Sequence, residues 1–228
     1  MIKAVIFDLD NTLLDFIRMK ERAVAAAVEA MIEAGLDVDL EESYKKIMHL
    51  YESHGWENQE VFNDFLTELS GKVNYKYLAA AIVAYRRARE ASLMPYPNVS
   101  KTLTELARNG VKIAVISDAP AREAWLRIYY LNLHHSFDLV LTFDDIGVRK
   151  PDPKGFKMVL ERLQIKAEEA IMVGDWPERD MVGASQLGIK TVFARYGDTF
   201  DTVDSGADWD VDNIYEIVNI IQSINGEQ

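Results

Sequence analysis

The chain has 228 residues, of which 49% are apolar, enough for one large domain or for a core with a modest second domain. Its 37 acidic residues outnumber its 25 Lys and Arg residues, and the formal net charge of -12 disfavours nucleic-acid backbones and anionic membranes as partners. Because cysteine is absent, disulfides and cysteine-ligated zinc are excluded, and since neither a signal-peptide pattern nor a long apolar run occurs, we expect a cytoplasmic protein.

The first predicted element is a buried strand at residues 2–7, which runs directly into the polar sequence Asp-Leu-Asp-Asn-Thr at residues 8–12. In an extended backbone, side chains two positions apart point the same way, so Asp8 and Asp10 can face one spot beyond the strand. Two neighbouring carboxylates repel each other unless they share a proton or bind a hard divalent cation such as Mg²⁺. The local sequence is consistent with either arrangement.

A helical segment follows and contains no convincing strand. Its patterns predict four helices, broken near glycines, at about residues 17–34, 40–54, 58–70 and 75–92. The prolines at positions 95 and 97 then stop the helical pattern and mark the return to the core. An insertion of this length predicts a small second domain, so we expect a core domain at 1–15 and 94–228 and a helical domain at 16–93.

The remaining chain alternates strands with helices. Nearly continuous apolar segments predict buried strands at residues 111–116, 139–143, 170–173 and 191–194. Helical patterns precede or separate them at residues 99–109, 121–131, 153–163 and 180–187. The sequence therefore predicts an α/β fold, a doubly wound, parallel, five-stranded Rossmann-like core with an inserted helical domain.

Two other segments are weaker candidates for function. Six aspartates occur between residues 198 and 212, but their spacing matches no calcium loop and favours a solvated edge near the C-terminus. The helix break at residues 54–58, His-Gly-Trp-Glu-Asn, is equally consistent with a specificity loop and with a simple connector holding a buried tryptophan.

Polar side chains follow four of the five predicted strands. In open parallel sheets, ligands bind outside the carboxyl ends of the strands, so these side chains are expected to converge. They are Asp8, Asp10 and Thr12 after the first strand, Ser117 and Asp118 after the second, Arg149, Lys150 and Asp152 after the third, and Gly174, Asp175, Arg179 and Asp180 after the fourth. Taken alone, Ser117 also fits an ordinary helix N-cap.

This ordered set resembles the haloacid dehalogenase-like superfamily of hydrolases over the whole chain. The residues that match the four family motifs are Asp8-Leu9-Asp10-Asn11-Thr12, then Ser117, then Lys150 in Lys-Pro-Asp-Pro, and finally Gly174-Asp175 with Asp180. Each motif by itself is weak evidence for the family, whereas the occurrence of all four in this order is strong evidence. The resemblance implies a sheet with the first strand at its centre and a helical cap inserted just after that strand.

The resemblance also implies catalytic and metal-binding roles. Asp8 would be the nucleophile that becomes an aspartyl-phosphate, and Asp10 would be the general acid and base. Mg²⁺ would be held by the carboxylates of Asp8 and Asp175 and by the backbone carbonyl of Asp10. Asp180 would orient a metal-bound water instead of contacting the metal.

Phosphoryl binding is implied for a second group of residues. Ser117, the backbone amide of Asp118 and Lys150 would bind the phosphoryl oxygens, and Thr12 also belongs to the substrate-binding set. We therefore predict a Mg²⁺-dependent phosphatase of a small phosphorylated metabolite, such as a sugar phosphate or a glyceraldehyde 3-phosphate-like ester. We expect a monomer or a homodimer with no nucleic-acid or membrane partner.

Three alternatives share this fold. A 2-haloacid dehalogenase is disfavoured by Asp10, because a halide leaves without a proton and needs no general acid. A catalytically silent phosphate-binding module is disfavoured because Asp8, Asp10 and Lys150 are all present. A sugar-phosphate mutase has the same core motifs, so the sequence leaves it open.

Overall fold

The computed structural model describes residues 1–226 and divides into two compact units. One unit combines residues 1–15 with the chain from residue 94 onward, and the other is Phe16–Leu93. Each unit has its own buried apolar cluster. Within the described residues, none of the helices has both the length and the apolar character needed to cross a bilayer.

The first unit is built on a six-stranded parallel sheet. Its strands are β1 Ala4–Phe7, β2 Lys112–Ile116, β3 Leu139–Leu141, β4 Ala170–Gly174, β5 Lys190–Ala194 and β6 Trp209–Val211. Their order across the sheet is β3-β2-β1-β4-β5-β6, which places β1 between β2 and β4. The predicted α/β class with an interior first strand is confirmed.

Helices account for most of the remaining chain. The second unit contains α1 Phe16–Glu33, α2 Leu40–His54, α3 Val61–Ser70 and α4 Tyr75–Ser92, and the first contains α5 Val99–Arg108, α6 Ala121–Tyr130, α7 Phe143–Ile146, α8 Lys154–Leu163, α9 Val182–Ser185 and α10 Glu216–Gly226. The helix predicted at 180–187 differs from the expectation, because it begins as a π-helical turn at Pro177–Met181 and continues into α9.

The two central strands, β1 and β4, are apolar along their length because both faces of the sheet are covered there. Every residue of β1 and of β4 is buried. Alternate side chains of a strand point to opposite faces, and on one face Ala4 and Ile6 join Ile116 and Phe156 in a single core cluster. This packing fixes the point at which each strand ends, and with it the position of the polar loops.

Strand β6 was not predicted, because it lies in the aspartate-rich segment that the sequence assigned to a solvated edge. It pairs in parallel with β5 at the margin of the sheet. Asp208 accepts hydrogen bonds from the amide and the hydroxyl of Thr191, at 2.7 and 3.1 Å, and Asp210 pairs with Arg195. Two of the six aspartates therefore fasten an edge strand, a role that their number and spacing did not indicate.

The second unit, Phe16–Leu93, is built from the helices α1 to α4. The breaks expected near Gly35, Gly55 and Gly71 are confirmed, since all three have positive φ values of 98°, 100° and 74°. In this region of the backbone, glycine avoids the steric cost that a β-carbon imposes.

Residue Trp56, in the break between α2 and α3, packs against an aromatic cluster. Its ring is stacked on Tyr51 with centroids 6.4 Å apart and meets the edge of Phe16 at 6.2 Å. Its backbone carbonyl accepts a hydrogen bond of 2.6 Å from the buried Lys20. These contacts are those of a helix connector anchored by its tryptophan, and the specificity role of the loop stays a prediction.

Candidate active site

The side chain of Asp8 lies immediately beyond the carboxyl end of β1. It forms an ion pair with Nζ of Lys150, which also donates a hydrogen bond of 2.6 Å to Asp180. The three side chains are 11%, 5% and 1% exposed. Residues from two loops and from the π-helical turn Pro177–Met181 thus meet around one buried ammonium group.

Three buried carboxylates form a compact group at this point. Asp8, Asp175 and Asp180 each contribute a carboxylate oxygen, and these oxygens all lie within 4.8 Å of one another. Asp175 accepts a hydrogen bond of 3.0 Å from the Thr12 hydroxyl, and Asp180 accepts one of 3.1 Å from the backbone amide of Trp176. Two of the predicted metal ligands, Asp8 and Asp175, are therefore neighbours, and the carboxylate of Asp180 belongs to the same group.

Burial perturbs the titration of these groups. Loss of hydration raises the pKa of Asp8 to about 8, an effect that Lys150 opposes and Asp180 reinforces. Burial likewise raises the pKa values of Asp175 and Asp180. Burial also disfavours the charged form of Lys150, but the carboxylates of Asp180 and Asp8 outweigh it and raise the pKa of Lys150 above its ordinary value. The lysine is therefore a permanent cation in a site crowded with acids.

The donor set fits Mg²⁺. This ion prefers oxygen ligands, and the three clustered carboxylates supply them. The hydrogen bond from Thr12 holds Asp175 in place, as bonds behind a metal ligand commonly do. Three carboxylates and the single ammonium of Lys150 leave two formal negative charges, which one divalent cation would offset.

Residues Ser117 and Asp118 follow β2 directly. The buried Ser117 accepts a hydrogen bond of 3.1 Å on its hydroxyl oxygen from the amide of Ala119, which leaves its hydroxyl hydrogen able to donate to a ligand. The carboxylate of Asp118 accepts the backbone amide of Lys150 at 3.0 Å and contacts Arg179 at 3.3 Å. Only the backbone amide of Asp118 was predicted to take part in the site, whereas its side chain ties the loop that carries Lys150 to the turn after β2.

Residue Asp10 is paired with a cation that the sequence did not single out. A guanidinium nitrogen of Arg127 in α6 lies 2.6 Å from Oδ2 of Asp10, with the two side chains 7% and 23% exposed. Arg127 occupies the buried face of α6, one position before Ile128 and three after Ala124. A charged residue in a core-facing helical position is a signal of a buried ion pair, and this signal was present in the sequence.

The 3₁₀ turn Arg195–Gly197 after β5 supports the site, although this strand end was not among the four predicted ones. The hydroxyl of Tyr196 donates a hydrogen bond of 2.9 Å to the backbone carbonyl of Thr12. A β-carbon at Gly197 would lie 1.7 Å from the backbone oxygen of Asn11, so only glycine fits there. These contacts of Tyr196 and Gly197 support the loop that carries Asp8 and Asp10, and no local sequence pattern predicted them.

The chain is similar to known proteins over nearly its whole length. A family model described as haloacid dehalogenase-like hydrolase matches residues 2–188. Two proteins named glyceraldehyde 3-phosphate phosphatase, from Methanopyrus kandleri and Methanocaldococcus jannaschii, are 36% and 35% identical, with alignments that cover 98% of this chain and 99% of each relative. The crystal structure of a HAD phosphatase from Thermococcus onnurineus shares the fold, with a TM-score of 0.69 and 24% identity over 96% of this chain and 98% of that one.

Proposed function

The chain belongs to the haloacid dehalogenase-like hydrolases, and we propose that within this family it acts as a Mg²⁺-dependent phosphatase of a small phosphomonoester. The observation that carries the proposal is the buried group beyond β1. There Asp8 is paired with Lys150, and its carboxylate lies within 4.8 Å of those of Asp175 and Asp180. The names of the relatives support a triose phosphate, glyceraldehyde 3-phosphate, as the substrate to test first.

The reaction would proceed in two displacements. A carboxylate oxygen of Asp8 attacks phosphorus, the bond from phosphorus to the alcohol oxygen breaks, and a proton from Asp10 passes to that oxygen. In the second step a water molecule attacks the aspartyl-phosphate, gives its proton to Asp10 and releases inorganic phosphate with regeneration of Asp8. The same carboxyl group serves as acid and then as base.

The surrounding residues would bind the phosphoryl group and balance its charge. Mg²⁺, held by the carboxylates of Asp8 and Asp175 and the backbone carbonyl of Asp10, would offset the repulsion between the anionic nucleophile and the anionic substrate. Lys150 holds a positive charge beside Asp8 and can donate to a phosphoryl oxygen. The hydroxyl of Ser117 is a second donor of this kind.

The helical unit, Phe16–Leu93, is proposed to be the cap of the family. It enters the chain directly after the loop that carries Asp8 and Asp10, which is the place where the family resemblance puts a cap. A cap that excludes water and large ligands is consistent with a small substrate.

Phosphate release from a panel of esters tests the proposal. The purified protein is incubated with Mg²⁺ and glyceraldehyde 3-phosphate, other aliphatic phosphomonoesters and p-nitrophenyl phosphate. We expect Asp8→Asn to lower turnover at least about 10⁴-fold, because loss of the nucleophile of a covalent enzyme can cost about 10⁶-fold. The exposed Asp37→Asn is the matched control and should leave turnover unchanged.

Three results would contradict the proposal. They are no release by the wild type from any ester, equal turnover by Asp8→Asn, and full activity after metal removal with EDTA. A mutase would instead convert one sugar phosphate into its isomer with little free phosphate, so product analysis separates these two functions.

A further inference from the structure

We infer that Arg127 is a positioning residue for the acid step, because it holds the carboxylate of Asp10 in the orientation from which Asp10 protonates the leaving alcohol. The inference rests on the proposed phosphatase function. Its basis is the ion pair between Arg127 and Asp10, 2.6 Å long and largely removed from solvent.

The two partners differ in how firmly the fold holds them. Asp10 lies in the loop after β1, where its backbone forms only an isolated β-bridge with Leu14, whereas Arg127 lies within the regular helix α6. On either side of it along the helix, Ala124 and Ile128 are fully buried, so core packing fixes the helix face from which the guanidinium projects. A group on a rigid, packed element can orient one on a loop, and a planar guanidinium does so with little freedom of its own.

Asp8 and Asp10, the two carboxylates of the first motif, form ion pairs with different cations. Asp8 is paired with Lys150, which is shared with Asp180, whereas Asp10 is paired with Arg127. Each carboxylate therefore has its own cation. The proposed nucleophile and the proposed acid are thus held by cations from different parts of the fold.

The chemistry of the leaving group provides the test. An aliphatic alcohol leaves as a strongly basic alkoxide unless it is protonated, whereas p-nitrophenolate is a stable anion that needs no proton. A positioned general acid typically contributes about 10²–10⁴-fold to the rate. The parameter kcat/KM includes steps only through the first phosphoryl transfer, so it excludes the hydrolysis of the aspartyl-phosphate, in which Asp10 acts on every substrate.

The experiment compares kcat/KM, at saturating Mg²⁺, for p-nitrophenyl phosphate and for the aliphatic ester that the wild type hydrolyses best. Arg127→Met should lower the value for the aliphatic ester at least about 10-fold more than the value for p-nitrophenyl phosphate, as loss of acid catalysis requires. Arg127→Lys, which keeps the charge without the planar fork, should show an intermediate ratio. The matched control, Arg122→Met, replaces an arginine of the same helix that is 81% exposed and should leave both values unchanged.

A double-mutant cycle separates action through Asp10 from a general structural effect. In an Asp10→Asn background, adding Arg127→Met should leave the ratio between the two esters unchanged, because the group that Arg127 positions is already gone. This double variant removes both charges of the pair, so it also tests the inference if Arg127→Met alone does not fold.

The possible failures are distinguishable. If the wild type releases no phosphate from any ester, the proposed function itself is wrong. If the wild type is active but the Arg127 variants lose equal activity on both esters, or none, the positioning role is overturned. A further change of the ester ratio in the Asp10→Asn background would also overturn it.

Discussion

Replacement of Lys150 by methionine is the sharpest test of the charge arrangement at the site. The substitution keeps the aliphatic stem but removes the only ammonium group of the buried cluster, which leaves Asp8 and Asp180 without their shared partner. Removal of one partner of a buried ion pair typically costs about 3–5 kcal/mol, because the remaining charge stays buried. For a chain of this length, such a loss lowers Tm by roughly 6–20 °C.

The effect should depend on pH in a defined direction. Buried carboxyl groups that lack a cation can be accommodated as neutral acids, so protonation at low pH removes the penalty. We therefore expect the Tm difference between wild type and Lys150→Met, measured by calorimetry without Mg²⁺, to be large at pH 8 and smaller at pH 5. Phosphatase activity should fall by about 10²–10³-fold, the usual cost of losing one group that stabilises transition-state charge.

The matched control is Lys3→Met. Lys3 forms an ion pair of 2.6 Å with Glu169 in the same unit, but its side chain is 54% exposed, so we expect little change of Tm. A Tm loss for Lys150→Met as small as that of the control, or one that grows as the pH falls, would refute the reasoning.

Three further predictions concern metal, backbone and proton transfer. Without metal, folded Asp8 keeps its proton up to about pH 8 while the unfolded carboxyl ionises near its ordinary pKa of 3.8, so the folded state binds more protons in between. Tm in EDTA should therefore fall as pH rises from 5 to 8, and Mg²⁺ should restore it most at pH 8; a Tm that rises over this range would contradict the assignment. Gly197→Ala should displace the backbone oxygen of Asn11, because that oxygen would lie 1.7 Å from the new β-carbon. The shift should misplace the neighbouring Asp8 and Asp10 and lower kcat at least about 10-fold. The control Gly226→Ala, which has open space around its β-carbon, should leave kcat unchanged. Asp10→Asn should lower kcat/KM for aliphatic esters by about 10²–10⁴-fold, the usual contribution of a general acid. Calorimetric Mg²⁺ affinity should be kept, since the proposed ligand is a backbone carbonyl; a large loss of affinity would refute that role.

The elements of the core were predictable where burial dictates composition. Strands β1 and β4 are buried along their whole length, so their apolar runs were visible without any tertiary information. Strand β6 was missed because it is a short edge strand in a polar segment. Besides its parallel backbone pairing with β5, it is held by side-chain hydrogen bonds such as that from Thr191 to Asp208, which produce no periodic pattern in the sequence.

The sequence by itself determined the residue types of the site and their order along the chain. Because parallel strands end at one edge of the sheet, Asp8, Ser117, Lys150 and Asp175 could be expected to converge from their positions after predicted strands. Local patterns suffice for this, since they record which segments are buried and where each one ends.

Only the tertiary structure decided which cation serves which carboxylate. Lys150 reaches Asp8 across 142 positions, and Arg127 reaches Asp10 across 117 positions. Such pairings depend on the register of the strands and on the face that each helix turns to the core, which are set by packing of the whole domain. A local pattern contains neither quantity, so the two neighbouring aspartates look alike in the sequence and differ only in the folded protein.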